Sequence, residues 1–139
     1  MAERGLEAID ETVQQTHIWL NEITEQFHGT KHQSLQILRS FLHTVRDHLP
    51  VDESAQFASQ VPLLIRGMYY EGWDPSKHAQ HERTAEEFVQ RFLAGTTLRE
   101  MDARDAIKAA AHVVEKHVTR GEVEDVYQSL PKQVRQLWG

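Results

Sequence analysis

The chain has no cysteine, which excludes disulfide bridges and thiolate chemistry and fits residence in the cytoplasm. It has no apolar run approaching the ~20 residues of a membrane-spanning helix, so no membrane is expected. Met1-Ala2-Glu3-Arg4-Gly5 leads into polar sequence without a signal-peptide core. A basic surplus is also missing. The formal charge is −6, residues 1–69 carry 5 Lys+Arg against 9 Asp+Glu, and residues 70–139 carry 10 against 12. Neither half offers the cationic stripe that a phosphate backbone requires, so nucleic acid is not expected as a partner. No segment alternates apolar and polar residues with a strand's period of two, which leaves helices.

Six helices are expected. The first, Leu6 to Phe27, places Ile9, Val13, Leu20, Ile23 and Phe27 on one face, with Trp19 beside them, and Gly29 breaks it. The second spans about Lys31 to Leu49 with the seam Leu35, Leu38, Leu42, Val45 and Leu49. After Pro50, Asp52 caps a third that carries Phe57, Val61, Leu64, Ile65 and Met68 inward. The linker Glu71 to Ser76 has glycine and proline punctuation. Helix four covers about His78 to Leu93, with Ala85, Phe88, Val89 and Phe92 inward. Helix five follows its cap Asp102, with Ile107, Ala110, Ala111, Val114 and Val118 as its seam. Gly121 separates it from helix six, striped by Val123, Val126, Leu130, Val134 and Leu137.

The chain repeats. At an offset of 69 residues, without a gap, His43 falls on His112, His48 on His117, Glu53 on Glu122, Pro62 on Pro131 and Arg66 on Arg135. Trp19 with Phe88, Ile23 with Phe92, Leu38 with Ile107, Val45 with Val114, Leu49 with Val118 and Tyr69 with Trp138 are similar pairs. One three-helix unit is too small to close its own core. The expected architecture is therefore an all-α six-helix bundle. Two tandem three-helix repeats, about 6–73 and 78–139, are related by a pseudo-twofold within one compact domain spanning 1–139. Pro62 inside a helix would crowd the carbonyl of Ala58, and Pro131 that of Tyr127, so each either kinks its helix or splits it in two.

Leu42-His43-Thr44-Val45-Arg46-Asp47-His48-Leu49-Pro50, then Pro62-x-x-x-Arg66-Gly67-x-Tyr69-Tyr70-Glu71-Gly72-Trp73, resembles the bacterial family called domain of unknown function 2267. The resemblance covers most of the chain and implies a tandem of three-helix repeats. It brings no known activity and is silent on function; no cofactor is expected. The second copy departs from the run, with Gln136 for Gly67 and Gly139 for Tyr70.

The chemistry-bearing residues give few leads. His78-x-x-His81-Glu82 sits at a helix start without a fourth ligand, and Glu25-x-x-His28 is the single Glu-x-x-His, so neither makes a metal centre. His43/His112 and His48/His117 stand five apart, roughly 140° around the axis, and flank the seam, where they could face one another across the twofold. No nucleophile elbow or phosphate loop is present, and no enzyme activity is expected.

Arg66, Tyr69, Tyr70, Glu71 and Trp73 remain as binding candidates, because Arg66, Tyr69 and Tyr70 share a helix face and these residue types concentrate at binding hot spots. The opposing reading buries Tyr69 in the core and gives Arg66 to a helix end or to Asp47. The expected function is a self-associating helical interaction module. The alternative is a small-molecule binder taking an anionic group between the repeats near Arg66.

Overall fold

The computed structural model describes residues 2–79 and 81–139. Met1 of the polar leader and Gln80 of the expected fourth helix lie outside them. Among the described residues the chain forms eight α-helices, two 3₁₀ turns and no strand. The helices are α1 Ala2–Phe27, α2 Lys31–His48, α3 Val51–Ala58, α4 Leu63–Tyr70, α5 Ala85–Ala94, α6 Ala103–His117, α7 Arg120–Ser129 and α8 Lys132–Trp138.

The all-α expectation holds, but six helices become eight because both prolines split their helices. Pro62 (φ −56°, ψ 153°) and Pro131 (φ −59°, ψ 148°) are extended residues just ahead of a new helix. Without an N–H, and with a ring that collides with the carbonyl four residues back, proline ends the old helix more cheaply than it bends it. The carbonyls left bare at the end of α3 need donors, and Arg66 supplies them. Its Nε donates to Ala58 O at 2.9 Å and its Nη2 to Val61 O at 3.0 Å.

α2 starts at Lys31 as expected, whereas several other helix starts differ. Thr30 and Thr84 begin α2 and α5 with reciprocal capping boxes, to Gln33 and Glu87. The Thr84 box delays α5 to Ala85 rather than His78, and Pro75–Lys77 forms a 3₁₀ turn ahead of it. Asp52 lies in the first turn of α3 while Pro50 takes the cap position. Asp102 precedes α6 without a capping bond, because its carboxylate accepts from Arg99 Nε at 3.1 Å. Gly121 lies inside α7, whose cap is Thr119. His28, the residue just after α1, takes the left-handed φ of 63°.

One apolar cluster runs from Trp19 to Trp138. At its centre α2 crosses α6, with Ile37, Leu38, Phe41, Leu42 and Val45 against a face rich in alanine. α1 packs on α2, α4 and α6, α5 packs on α2, α6 and α8, and α3 meets α7. Three expected core positions are exposed instead. Ile9 is 58% exposed and Val13 38%, because α1, about 39 Å long at 1.5 Å per residue, outruns the helices beneath it. Leu64 is 42% exposed, since the break at Pro62 turns the α4 seam onto Ile65 and Tyr69.

Gly95 marks the tightest joint in the packing. A Cβ there would lie 2.5 Å from Ser40 Oγ and 3.0 Å from Ser40 Cβ. Ser40 Oγ is itself bonded to Phe92 O at 2.6 Å, so it has no free direction to retreat. Gly95→Ala therefore destabilises by about 1–3 kcal/mol, more than the roughly 0.4–1 kcal/mol regained by restricting the unfolded chain. Urea titration checks this; a neutral or stabilised variant would mean that the α2–α5 joint yields.

Candidate functional site

The Arg66–Trp73 run is brought together, but chiefly to organise its own surroundings. Arg66 spends its guanidinium on the end of α3. Tyr69 is fully buried, with its hydroxyl 2.6 Å from Ser54 Oγ and its ring 5.4 Å from that of Phe57. Tyr70 packs edge-on against Tyr69 and then against Trp73, with ring centroids 5.4 and 5.3 Å apart. Trp73 Nε1 donates to His78 Nε2 at 2.9 Å, and His78 Nδ1 donates to Leu49 O at 2.7 Å. Glu71 is exposed and pairs with Arg39 at 3.1 Å. A ladder of four aromatic rings thus ties the linker to the end of α2.

Beneath this ladder lies Arg46, which is not among the residues expected to act and is only 5% exposed. Its Nη1 donates to both Tyr69 O and Glu71 O at 2.8 Å, and its Nε to Asp47 Oδ1 at 2.9 Å. A buried cation that takes two carbonyls from the end of α4 satisfies helix-terminal groups and holds the run in place. Its signal in the sequence was slight: a charge among the apolar positions of α2, where Asp47 follows at once.

The paired histidines do not face one another. His48 packs tilted against Phe88, with ring centroids 5.3 Å apart, and its Nε2 lies 3.5 Å from Glu82. His117 stacks on Trp19 at 5.0 Å and meets Glu22 at 2.6 Å. Each therefore packs against the first long helix of the opposite segment, and helix crossing rather than their own spacing decides the partner. His112 is exposed beside Gln26, and His43 Nε2 donates to Met68 O at 2.6 Å.

Two surfaces stand outside this framework. One is apolar: Leu6, Ile9 and Val13 along the overhang of α1, with Leu63 and Leu64 at the start of α4. The bond from Leu64 N to Thr12 Oγ1, 2.9 Å, sets the two groups side by side. The other is a cleft of about 360 Å³ between α2 and α5, walled by Arg39, His43, Arg46, Asp47 and Arg91. Arg66 does not line it. A wider hollow of about 590 Å³ lies where the α1–α2 turn faces Asp105, Lys108 and His112 of α6.

Burial is the largest influence on His43 and His48 and pushes both imidazoles below their ordinary value, against the hydrogen bonds to Met68 O and Thr44 O. The folded chain refuses a proton that the unfolded chain accepts below about 6.5, so their contribution is complete above that pH and is lost as the pH falls. NMR titration of the imidazoles should place both transitions under 6.5. A transition above it at either residue would show that ring to be solvated.

No curated protein matches the chain. The sequence profile of a family described as "Uncharacterized conserved protein (DUF2267)" matches residues 16–137, from within α1 to within α8. The overhang of α1 falls before the matched span. Covering nearly all of the helical body, that match shows that the chain belongs to the DUF2267 family, as the Arg-Gly-x-Tyr-Tyr-Glu-Gly-Trp run had suggested.

Proposed function

We propose that this chain is a non-enzymatic helical interaction module, one body made of two repeats about a pseudo-twofold, which pairs with a second copy of itself in the cytoplasm. The pairing of helices supports the twofold. α1 on α6 corresponds to α5 on α2, α2 on α4 to α6 on α8, and α1 on α4 to α5 on α8. His48 on Phe88 corresponds to His117 on Trp19. Gln56 and Asp125, 69 residues apart, touch directly at 3.4 Å, as equivalent residues do on an axis.

The observation that carries the self-association is the stripe Leu6, Ile9, Val13, Leu63 and Leu64, with Leu63 65% exposed. Apolar side chains grouped on one face, rather than scattered, mark an interaction surface. An isologous pair covers such a stripe with its own image and needs no second protein. Among the described residues no helix is long and apolar enough to cross a membrane, so the stripe is not part of a spanning helix.

The second reading, an anionic small molecule held between the repeats, draws support from the α2–α5 cleft and its arginines. Each arginine there already faces a carboxylate: Arg39 with Glu71 at 3.1 Å, Arg46 with Asp47 at 2.9 Å and Arg91 with Glu82 at 2.6 Å. With its cations compensated, the cleft has little field left to attract an anion, which ranks this reading below the first.

Sedimentation equilibrium from micromolar to hundreds of micromolar chain should show a reversible dimer, and Ile9→Glu with Leu63→Glu should shift it to monomer without loss of helicity. A wild-type chain that stays monomeric throughout refutes the proposal. In a thermal-shift screen of phosphate and polycarboxylate anions, no stabilisation is expected; a rise in Tm that Arg91→Ala abolishes would favour the cleft instead.

A further inference from the structure

Where α3 meets α7, three carboxylates gather without a counter-charge. Glu53 and Gln56 stand three apart on α3, and Glu122 and Asp125 stand three apart on α7, so each pair shares one helix face. One oxygen from each of Glu53, Glu122 and Asp125 lies within 4.8 Å of the others. Among the described residues no Lys, Arg or His side chain pairs with any of the three.

Acidic clusters on a surface are common and need no ligand; this one differs in its burial. Glu122 is 4% exposed, its Oε1 is sealed from solvent, and that oxygen finds no hydrogen-bond donor. Glu53 Oε2 is likewise sealed and without a donor. The one donor in the cluster is Gln56 Nε2, which lies 2.7 Å from Glu122 Oε2 and 3.4 Å from Asp125 Oδ2. A buried carboxylate oxygen with no partner is among the costliest arrangements a fold can keep. Something positive must complete it.

We infer that Glu53, Glu122 and Asp125, joined by the side-chain carbonyl of Gln56, bind an oxygen-preferring divalent cation of the calcium class at the α3–α7 junction. The donor set is all oxygen, with no sulfur and no imidazole, which excludes the ligand types that zinc and copper prefer. Calcium takes oxygen ligands at about 2.3–2.6 Å in loose geometry, so two oxygens on one ion can stand up to about 5 Å apart, a span that the mutual distances here, all within 4.8 Å, do not exceed. Magnesium demands shorter, near-octahedral bonds and keeps much of its water, which a set fixed by two rigid helices suits less well. Rotating the Gln56 amide by half a turn exchanges its N–H₂ for its carbonyl, an unfavourable change against bare carboxylates and a favourable one against a cation. The ion would clasp α3 to α7 and so join residues 6–73 to residues 78–139.

The competing occupant is a proton shared by Glu53 and Glu122. Burial first, then a hydrogen bond to the Glu122 carboxylate, then the charges of Glu122 and Asp125, push the Glu53 carboxyl up to about 7. A proton leaves Asp125 and half of the Glu122 carboxylate uncompensated, whereas a divalent ion engages all three groups. The two occupants also respond oppositely to experiment.

The test uses the whole chain, free of any histidine tag and stripped with EDTA, at pH 7.5. Calcium chloride at about a hundred times its dissociation constant should raise Tm by about 5–10 °C, with a smaller rise for magnesium. Glu122→Gln and Asp125→Asn should each cut the calcium-induced shift at least fivefold. In EDTA both should melt at or above the wild type, since each removes one of three mutually repelling charges. Should Glu122→Gln fail to fold, the exposed Asp125→Asn decides the matter alone, supported by calorimetric titration. The absence of any calcium shift in the wild type overturns the site, as does a shift that survives in Asp125→Asn. The proton alone would give a different pattern. The folded chain would then keep a proton that the unfolded chain releases between about 4.5 and 7, so Tm would rise as the pH falls through 7 and ignore calcium.

Discussion

The crossing of α2 over α6 is the contact that every other helix is arranged to protect. α2 contributes Ile37, Leu38, Phe41, Leu42 and Val45, none of them measurably exposed, and α6 meets them with Ala106, Ile107, Ala110, Ala111 and Val114. Alanines on one side allow the axes to approach, and large side chains on the other fill the space that approach creates. The remaining helices then cover the flanks. α1 and α5 close the sides, α4 and α8 close the ends of the seam, and α3 is left to meet α7 at the margin.

The splitting of the two proline helices follows from that need for cover. A straight helix through Pro62 would run α4 along α3, whereas a break lets it turn back onto α2 with Ile65 and Tyr69 inward. Arg66 satisfies the carbonyls of α3 exposed by the break, and Arg46 satisfies those at the far end of α4. The two arginines flank a helix of eight residues, too short to be stable without such support. The second segment manages differently: Arg135 is exposed, and Glu115, which stands where Arg46 would, accepts from the hydroxyl of Tyr127.

Much of the helical framework was legible from spacing alone, because a stripe such as Leu38, Leu42, Val45 and Leu49 reports burial wherever a neighbour exists to receive it. It does not report whether the neighbour exists. Ile9 and Val13 continue the stripe of α1 perfectly well and still lie in solvent, since periodicity records amphipathicity and not length of cover. The choice between kink and break at Pro62 was illegible for a similar reason, as it turned on a donor eight residues beyond Ala58. Thr84-x-x-Glu87 was a readable start signal, concealed because the helix was begun directly after the linker that ends at Ser76. At the α3–α7 junction the match of Glu53 to Glu122 was visible, but the offset alone could not say that matched residues would touch. Spatial proximity is needed for that, and it is the packing of α3 on α7 that brings Gln56 Nε2 to 3.4 Å from Asp125 Oδ2.

The exchange of flanking helices has a mechanical consequence. Because α1 lies on α6 and α5 lies on α2, neither half of the chain owns a core it could keep after the other departs. Opening either side exposes the apolar interior of both, so the body should melt as one cooperative block rather than by stages. Any guest that grips even a small corner of it therefore draws on the conformational stability of the entire chain.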